Sequence, residues 1–430
     1  MVPLFSKMMD TLPESMHAND ELGVQLGNST IASQAFVDDI VSMAMGYAQQ
    51  EKTLNIVNEF AVIHQLEWGE SKCKVMEIGN HKEEKVKWDL GEKEIEKCSE
   101  YKYLGEIISR DGKNTANIKE RINKVKASVA GAMTCARSDI MRRIEVGVLL
   151  NLHESDTIPT LLYASETWIL NSQEYIQIER IEMWALKHMF GLPPTTPNAA
   201  VRYVSGTLCI ETRIQQRQLM FFHSLLQKEQ GHRTLEALSE LQNYDIGWTK
   251  KIDQTLASWE LENDWSVIKT IPQGIWKRLV YAAAEKWNKK KLVNECQTKQ
   301  RGVTKIKTKT VSILEQIEKP NYIRQPLPIL RELNCVEMRA LVMGRYGMLD
   351  CRANFSAGYG NKQCLRCDVE DNEVHRMNEC PLYGSVNRVD SDQKVDFEKI
   401  YSDSIDDVRP VIDAILEMWD LEHGKNKMRT

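Results

Sequence analysis

The spacing of hydrophobic and polar positions divides the chain into an early mixed region and a long helical region. From about residue 22 to 107, the strand-like runs STIASQAF and DIVSMAM flank two adjacent aspartates, and EKTLNIVNEFAVIHQL follows with helical spacing. SKCKVMEIG, the turn NHKE and EKVKWDLG predict a hairpin, and the apolar strand YKYLGEII then ends at the turn SRDGK. This pattern predicts an α+β region in the order hairpin, helix, hairpin, strand.

Beyond Asp111 the apolar residues recur almost throughout at the spacing of helices. TANIKERINKVKASVAGAM has one apolar and one basic face, and TRIQQRQLMFFHSLLQ has a similar pattern. SQEYIQIERIEMWALKHMFG is predicted to begin with Ser172 as its N-cap and to end at Gly191. Tryptophans recur at positions 248, 259, 265, 276 and 287. This spacing favours a helical core stripe over a base-stacking platform, so the predicted fold class is α+β, mostly α.

The amino-acid composition indicates which class of protein this is, but it does not identify a binding partner. The 430 residues predict two or three domains, and 56 basic against 61 acidic residues give a net charge of -5, so any basic surface must be local. No apolar run is long enough for a membrane span, and most of the ten cysteines are scattered singly. We therefore expect a soluble, intracellular protein, cytoplasmic or nuclear, with reduced thiols and no membrane partner.

One tract near the middle of the helical region is strongly basic. It extends over KWNKKKLVNECQTKQRGVTKIKTKTV, in which alternating lysines on a strand would share one face and could meet phosphates. A solvated charged face or a linker explains the same composition. The candidate nucleic-acid contacts are Lys289, Lys290, Lys291, Arg301, Lys305, Lys307 and Lys309.

The adjacent carboxylates of Asp38 and Asp39, within AFVDDIVSMA, are the first candidate site. Neighbouring residues of a regular strand point to opposite faces, whereas in a tight turn between two strands both can face the same side. Two such carboxylates repel each other unless a cation neutralises them, and Mg²⁺ prefers carboxylate oxygens together with substrate phosphates. The pair indicates either metal-assisted phosphoryl or nucleotidyl transfer, or a solvated turn.

The segments around this pair occur in a recognisable order. PLFSKMMDTL precedes FVDD, and EWGESKCKVMEIG, YKYLGEIIS, IPTLLYASETWIL and IERIEMWALKHMFG follow it. FVDD resembles the aromatic-X-Asp-Asp box of reverse transcriptases, and its neighbours resemble the palm helix, the lysine motif, the primer grip and thumb-side segments of LINE-type, non-LTR retrotransposon polyproteins. The resemblance covers most of the chain and implies RNA-directed DNA polymerase ancestry, with an RNA template and a DNA primer as partners.

The resemblance assigns roles to residues of the polymerase box and the motifs after it. Asp38 would bind catalytic Mg²⁺ with help from Asp39, and Phe36 would pack beneath the turn or against the primer end. Lys72 would lie near the phosphates of the incoming nucleotide, with Lys74 as the rival assignment. The primer grip would be formed by Tyr103, Leu104 and Gly105.

A compact cysteine and histidine set near the C-terminus is the second candidate site. Its spacing is C-x2-C-x7-H-x4-C, in Cys364, Cys367, His375 and Cys380. Three thiolates and one imidazole suit Zn²⁺, and the short span allows tetrahedral closure, whereas scattered structural cysteines are the alternative. A CCHC knuckle at this place also agrees with the resemblance. It would either bind single-stranded nucleic acid or stabilise the fold.

The resemblance also predicts what the chain lacks. A complete palm needs a further aspartate from an earlier strand and an upstream fingers region, and neither Asp10 nor Asp20 is a good substitute. We therefore expect a catalytically incomplete fragment whose missing N-terminal polymerase portion would have to be supplied. The alternatives are a non-catalytic RNA or DNA binder, using the helices, the basic tract and the knuckle, and an unselected pseudogene product.

The predicted architecture is a truncated palm remnant, a helical thumb and connector, and a small zinc module. In residue numbers, the partial palm covers 1–110 and the helical thumb and connector 111–235. A helical, basic connector follows at 236–330, then the zinc-knuckle region at 331–395 and an acidic closing helix at 396–430.

Overall fold

The chain is mostly helical with several small sheets, as the α+β, mostly α prediction states. The computed structural model describes residues 2–19, 21–27, 29–79, 87–135, 144–229, 232–300, 313–319, 322–349, 351, 361–383 and 394–423. The chain divides into two compact units. The first unit contains residues 1–120, 163–174 and 214–283, and the second contains 121–162, 175–213 and 284–430. Each unit is thus assembled from three separate stretches, whereas the sequence suggested five consecutive segments.

The early region contains nine short strands and two helices among its described residues. The helices are α1 (Val2–His17) and α2 (Tyr47–His64). The strands are β1 (Val24–Leu26), β2 (Ser29–Ile31), β3 (Ser33–Phe36), β4 (Asp39–Ser42), β5 (Lys74–Val75), β6 (Trp88–Leu90), β7 (Lys93–Lys97), β8 (Glu100–Tyr103) and β9 (Glu106–Ser109). The predicted first hairpin is β3–β4, and the predicted helix after it is α2.

The second predicted hairpin is wrong in its pairing. β5 pairs in parallel with β7, and β7 pairs antiparallel with β6, so the order β5-β7-β6 separates the two strands predicted to be partners. The tight turn lies instead at Gly91, whose φ of +65° is a conformation that glycine adopts without steric cost. The predicted turn at 80–83 lies outside the described residues.

The segment predicted as one apolar strand, YKYLGEII, folds back on itself. β8 pairs antiparallel with β9, with Tyr103 opposite Glu106, so Leu104 and Gly105 form a two-residue turn. Both turn residues have positive φ, 46° and 83° respectively, which is typical of the turns that suit the twist of paired strands. The segment is therefore a hairpin, and the prediction of one continuous strand is wrong.

Two small cores hold the early region together. In one, the nearly inaccessible Leu12 and Met16 of α1 pack with Leu22 and Ala32, and Ile40 of β4 and Phe60 of α2 pack against this cluster. His17 at the end of α1 also bonds β3, because its Nε2 lies 2.9 Å from the carbonyl oxygen of Ser33. The other core contains Leu54, Trp88 and Ile95. These contacts fix α1, α2 and the β3–β4 hairpin together.

The middle of the chain is a succession of helices. They are α3 (Thr115–Cys135), α4 (Val146–Leu152), α5 (Ile158–Leu161), α6 (Ser172–Met189), α7 (Asn198–Ser205), α8 (Ile210–Leu226), α9 (Arg233–Asn243), α10 (Gly247–Ser258), α11 (Trp265–Thr270) and α12 (Gln273–Gln300). The predicted N-cap of α6 is wrong by one residue. The side chain of Asn171 accepts hydrogen bonds from the backbone of Gln173 and Glu174, and Glu174 bonds back to the amide of Asn171, so the capping residue is Asn171.

Three of the five tryptophans of the stripe belong to the buried helical core, as the spacing predicted, whereas Trp265 and Trp287 are half-buried. Trp248, Trp259 and Trp276 are buried, and the indole N–H groups of Trp248 and Trp276 donate to the carbonyl oxygens of Glu166 and Leu219. Buried indoles with satisfied N–H groups stabilise the fold and are not available to stack on bases.

The described residues after Asn334 contain three further α-helices. They are α13 (Cys335–Arg345), α14 (Glu373–Asn378) and α15 (Ile405–His423). Arg345 is buried and donates to the carbonyl oxygens of Ile400 and Ser402, which connects α13 to the chain before α15. No helix in the described part of the chain is long and apolar enough to cross a bilayer.

Candidate functional site

Asp38 and Asp39 lie at the turn that the flanking apolar runs predicted. Phe36 is paired with Asp39 across the β3–β4 hairpin, so Val37 and Asp38 form the turn and Asp39 begins β4. Both carboxylates are exposed, and neither forms a hydrogen bond or an ion pair with another described residue. The two charges are therefore accessible to a cation from solvent.

Val37 holds this turn in an unusual conformation. Its φ is +59°, in the left-handed region that is a genuine outlier for a β-branched residue, and glycine is the ordinary choice at such a position. A conformation of this kind costs on the order of 1–3 kcal/mol and is found most often at functional sites. Phe36 beside it is 61% exposed, so its ring does not pack beneath the turn.

The β8–β9 hairpin lies close to this turn. Burial raises the pKa of the Tyr101 and Tyr103 phenols, and the negative charge of Asp39 raises both further. Tyr101 also donates a hydrogen bond from its hydroxyl to the carbonyl oxygen of Lys72, across 2.8 Å. The YKYLG segment therefore contacts the SKCK segment directly, and it lies within electrostatic reach of Asp39 in the FVDD segment.

The structure distinguishes the two candidate lysines of the SKCK segment. Lys74 forms an ion pair with Glu96 on the neighbouring strand β7. Lys72 is exposed, and its ammonium forms no ion pair with a described residue. Only Lys72 therefore presents an uncompensated positive charge, which favours it over Lys74 as a contact for a phosphate.

The Tyr103-Leu104-Gly105 turn is held by a residue that the sequence did not single out. The hydroxyl of Tyr163 donates to the carbonyl oxygen of Leu104 across 2.7 Å. A Cβ atom on Gly105 would come within about 3.5 Å of the Tyr163 ring. The segment LLYASETW was recognised, but no local pattern indicates which distant turn its tyrosine contacts.

The described part of the basic tract is already engaged within the second unit. Lys291 forms an ion pair with Glu211, and the ammonium of Lys289 lies 5.7 Å from the centroid of the Tyr322 ring. Lys290 lies 5.5 Å from the centroid of Trp287. The remaining candidates lie outside the described residues: Arg301, Lys305, Lys307 and Lys309.

The second candidate site brings together the four residues predicted from their spacing. The ligand atoms of Cys364, Cys367, His375 and Cys380 all lie within 4.8 Å of one another. The Sγ atom of Cys380 is 3.7 Å from that of Cys364 and 3.9 Å from that of Cys367. A tetrahedral zinc site with Zn–S bonds of about 2.3 Å has S···S edges of about 3.8 Å. The cluster could therefore hold a metal ion.

Local backbone bonds explain how the chain forms this cluster. The amide of Cys364 donates to the carbonyl of Val369 across 2.8 Å, which closes the loop that carries the first two cysteines. Asn372 caps α14 by accepting from the amide of His375. The amide of Cys380 then donates to the carbonyl of His375 across 2.8 Å, so the last two candidate ligands are held together.

The electrostatics of the cluster suit a cation. Both ring nitrogens of His375 are buried and have no hydrogen-bond partner among the described residues, and the carboxylate of Glu379 lies 3.5 Å from Nδ1. Burial works against ionisation of Cys364, but the amide of Arg366 and the neighbouring His375 ring lower the pKa of that thiol to about 7. A thiolate beside an unpaired imidazole is a typical zinc-ligand combination.

A buried ion pair beside the cluster was not foreseen from the sequence. Arg376 donates to both carboxylate oxygens of Asp371, at 2.6 and 2.7 Å, and its guanidinium lies 5.4 Å from the centroid of the Tyr383 ring. A bidentate pair of this kind fixes α14 relative to the preceding loop. The two residues are five positions apart and α14 begins between them, so they do not have the i, i+3 or i, i+4 spacing from which an ion pair on a helix can be predicted.

The aspartate pair differs from the cysteine cluster in the number of possible ligands. Among the described residues, Cys364, Cys367, His375 and Cys380 are the one group of three or more acidic, histidine or cysteine side chains close enough to share a metal ion. Asp38 and Asp39 therefore have no third ligand of this kind in the described structure. No protein-family model and no curated protein matches the chain.

Proposed function

We propose that the first unit derives from the palm of a reverse transcriptase and carries part of a site for RNA-directed DNA synthesis. The proposal is supported chiefly by the position of Asp39, whose charge acts on Tyr101 and Tyr103 of the YKYLG hairpin. Tyr101 in turn bonds the backbone of Lys72. Segments assigned to the polymerase box, the lysine motif and the primer grip are thus neighbours.

The residues of this site have separate roles in the proposed reaction. Asp38 and Asp39 offer carboxylate oxygens that fit Mg²⁺, and the ion would activate the primer 3′-hydroxyl and stabilise charge on the triphosphate. The ammonium of Lys72 would pair with a phosphate of the incoming nucleotide. Phe36, exposed beside the turn, would contact the end of the primer.

The site is incomplete among the described residues. Two-metal phosphoryl transfer needs ions that contact both the attacking and the leaving oxygen, and two adjacent carboxylates supply too few ligands for two ions. We propose that the described palm remnant is inactive by itself and that synthesis belongs to a longer polymerase. A partner that supplies a further aspartate would be required for activity.

Primer extension on an RNA template tests the proposal directly. Purified protein is incubated with an annealed DNA primer, deoxynucleotides and Mg²⁺, and the Asp38→Ala/Asp39→Ala variant is the matched control. No extension by either protein is expected. Extension that disappears in the double variant would refute the claim of incompleteness and would show that the pair is catalytic. Extension that persists in the variant would contradict the assignment of these aspartates.

A second candidate function is non-catalytic binding of RNA or DNA, which the Cys3His geometry favours. We propose that the cluster binds Zn²⁺ and presents the surrounding loop to single-stranded nucleic acid. Leu365 between the first two cysteines is 81% exposed and would be available to contact a base.

Gel-shift assays with a labelled single-stranded RNA distinguish this function from the first. Leu365→Ser should weaken binding while leaving the zinc content unchanged, and Asp38→Ala/Asp39→Ala should leave binding unchanged. Binding through phosphates should fall steeply as salt rises. Equal affinity of the Leu365→Ser variant and the unmodified protein would show that the cluster only stabilises the fold.

A further inference from the structure

The helical run before Tyr163 contains a π-turn. α4 and α5 are joined without a break by the five residues His153–Thr157, and the amide of Ile158 donates to the carbonyl of His153, five residues earlier. Pro159 follows immediately and has no N–H to donate to the carbonyl of Ser155, so the regular ladder cannot continue there. π-turns inside helices are found frequently at functional sites.

This turn directs a histidine toward a buried glutamate of α6. The side chains of His153 and Glu182 are both completely inaccessible to solvent, and Nε2 of His153 lies 3.9 Å from Oε1 of Glu182. Neither ring nitrogen and neither carboxylate oxygen has a hydrogen-bond partner among the described residues, and the buried hydroxyl of Thr157 also has none. Several unsatisfied polar atoms in one interior region require a physical explanation.

Two arginines lie near Glu182, and the first of them, Arg213, is already paired with another carboxylate. Arg213, at the start of α8, donates to both carboxylate oxygens of Glu154, at 2.9 and 2.5 Å. Its Nε atom lies 4.0 Å from Oε1 of Glu182, beyond hydrogen-bond distance. The charge of Arg213 is thus compensated mainly by Glu154.

Arg202, the second arginine near Glu182, is already paired with two other carboxylates. Arg202 on α7 is buried and forms ion pairs with Glu179, on the same helix as Glu182, and with Glu295 of α12, the latter at 2.6 Å. Among the described residues, the charged and titratable groups around the cluster are these four residues together with Arg213, Glu154, His153 and Cys209, whose thiol lies near Arg202. An ionised Glu182 would therefore add a buried negative charge that no cation fully neutralises.

The environment changes the proton affinity of both members of the pair. Burial raises the pKa of Glu182 to about 7, although Arg202 and Arg213 oppose the rise. Burial and, to a smaller extent, the nearby positive charge of Arg213 together lower the pKa of His153 to about 4. Both groups thus favour their neutral forms inside the second unit.

We propose that His153 and Glu182 form a buried proton-binding site that acts as a pH-sensitive switch for the π-turn. With one proton on the pair, no uncompensated charge is buried and the turn packs on α6. Loss of this proton in alkaline solution leaves a buried carboxylate, and gain of a second proton in acid leaves a buried imidazolium beside Arg213. Either charge favours release of residues 153–157 toward solvent.

The stabilising contribution of Glu182 is lost as the pH rises, whereas that of His153 is lost as the pH falls. The raised pKa of Glu182 means that its contribution is fully present below about 4.5 and is lost as the pH rises through about 7. The lowered pKa of His153 means that its contribution is present above about 6.5 and is lost as the pH falls through about 4. The two variants that remove these groups should therefore show opposite pH trends.

Unfolding of single variants tests the proposal. From pH 4.5 to 7, the unfolding equilibrium constant of the unmodified protein should rise relative to Glu182→Gln by up to about 80-fold. From pH 6.5 down to 4, it should rise by a similar factor relative to His153→Gln. Glu417→Gln and His188→Gln serve as matched controls, because both side chains are exposed in the second unit. Ratios that do not vary with pH, or that vary in the same direction, would overturn the proposal.

If a variant does not fold, a spectroscopic measurement on the unmodified protein tests whether the His153–Glu182 pair holds a proton. Infrared difference spectra of the unmodified protein near pH 6 should contain the band of a protonated buried carboxyl group, and this band should disappear as the pH is raised through 7. Hydrogen exchange of amides 153–157 should accelerate over the same interval. A carboxylate signal alone at pH 6, with exchange unaffected by pH beyond its intrinsic dependence, would show that the pair does not hold the proton.

Discussion

The hydroxyl of Tyr163 donates a hydrogen bond to the carbonyl oxygen of Leu104, and the two residues are 59 positions apart in the chain. Leu104 has a positive φ of 46°, and Gly105 follows with 83°. The bond therefore fixes the tip of the β8–β9 hairpin, whose Tyr101 and Tyr103 are acted on by the charge of Asp39. The phenol of Tyr163 and the indole of Trp168, whose N–H donates to a carboxylate oxygen of Glu106 across 3.0 Å, both connect the segment LLYASETW to the β8–β9 hairpin.

Replacing Tyr163 with phenylalanine should loosen this turn without changing the packing of the ring. The expected loss of stability is about 0.5–1 kcal/mol, at the low end for a hydrogen bond, because Tyr163 is 46% exposed and water can solvate the freed carbonyl. Urea denaturation measures the loss, and faster hydrogen exchange at residues 103–106 would locate it. Tyr244→Phe is the matched control, since that ring is 66% exposed. Equal effects of the two changes would contradict a special role for the Leu104 bond.

Val37→Gly should stabilise the β3–β4 hairpin. Glycine removes the steric cost of the left-handed conformation at φ +59° but loses more backbone entropy on folding, so we expect a net gain of about 0.5–1 kcal/mol. Val41→Gly, in the regular part of β4, should instead destabilise the protein. Thermal unfolding compares the two variants. A loss of stability in Val37→Gly would mean that the valine side chain contributes packing that exceeds its strain.

Local sequence patterns were sufficient to predict those features whose contacts join residues close together in the sequence. The Asp38 turn followed from two apolar runs that can pair only if the chain reverses between them. The cysteine and histidine cluster was likewise readable, because its four residues fall within 17 positions and each spacing suits one metal centre. The Asn171 cap was missed because Asn and Ser are adjacent and both are good N-caps.

Distant contacts decided the features that the sequence did not predict. β5 has two paired residues, too few to carry a pairing preference, and its neighbour β7 packs with β6 around Trp88 and Ile95. Segments that meet only in the folded chain determine two further contacts, that of Tyr163 with Leu104 and that of His153 with Glu182. The resemblance to reverse transcriptases indicated which segments to compare, but not these side-chain contacts.

Removal of one cysteine ligand should abolish metal binding by the second unit. Cys380→Ser is expected to reduce the zinc content from about one ion per chain to almost none, because Cys380 is within 4 Å of both other thiols. Metal analysis after dialysis measures the change, and circular dichroism should report loss of the short helix α14. Cys73→Ser, in the first unit, is the control. Full zinc retention by Cys380→Ser would show that the cluster is not a four-ligand site.

Arg202→Met should be among the most destabilising single changes in the second unit. The guanidinium is buried and paired with Glu179 and Glu295, so its removal leaves two carboxylates without their cation, at an expected cost of about 3–5 kcal/mol. Lys52→Met breaks an exposed pair with Glu21 and should cause no measurable loss.

Neutralising the carboxylates provides the decisive comparison for Arg202. Adding Glu179→Gln and Glu295→Gln to the Arg202→Met variant should restore most of the lost stability, because no buried charge then lacks a partner. Urea denaturation of the unmodified protein, the single variant and the triple variant measures this recovery. A triple variant as unstable as Arg202→Met would show that the arginine stabilises the unit mainly by packing its aliphatic stem.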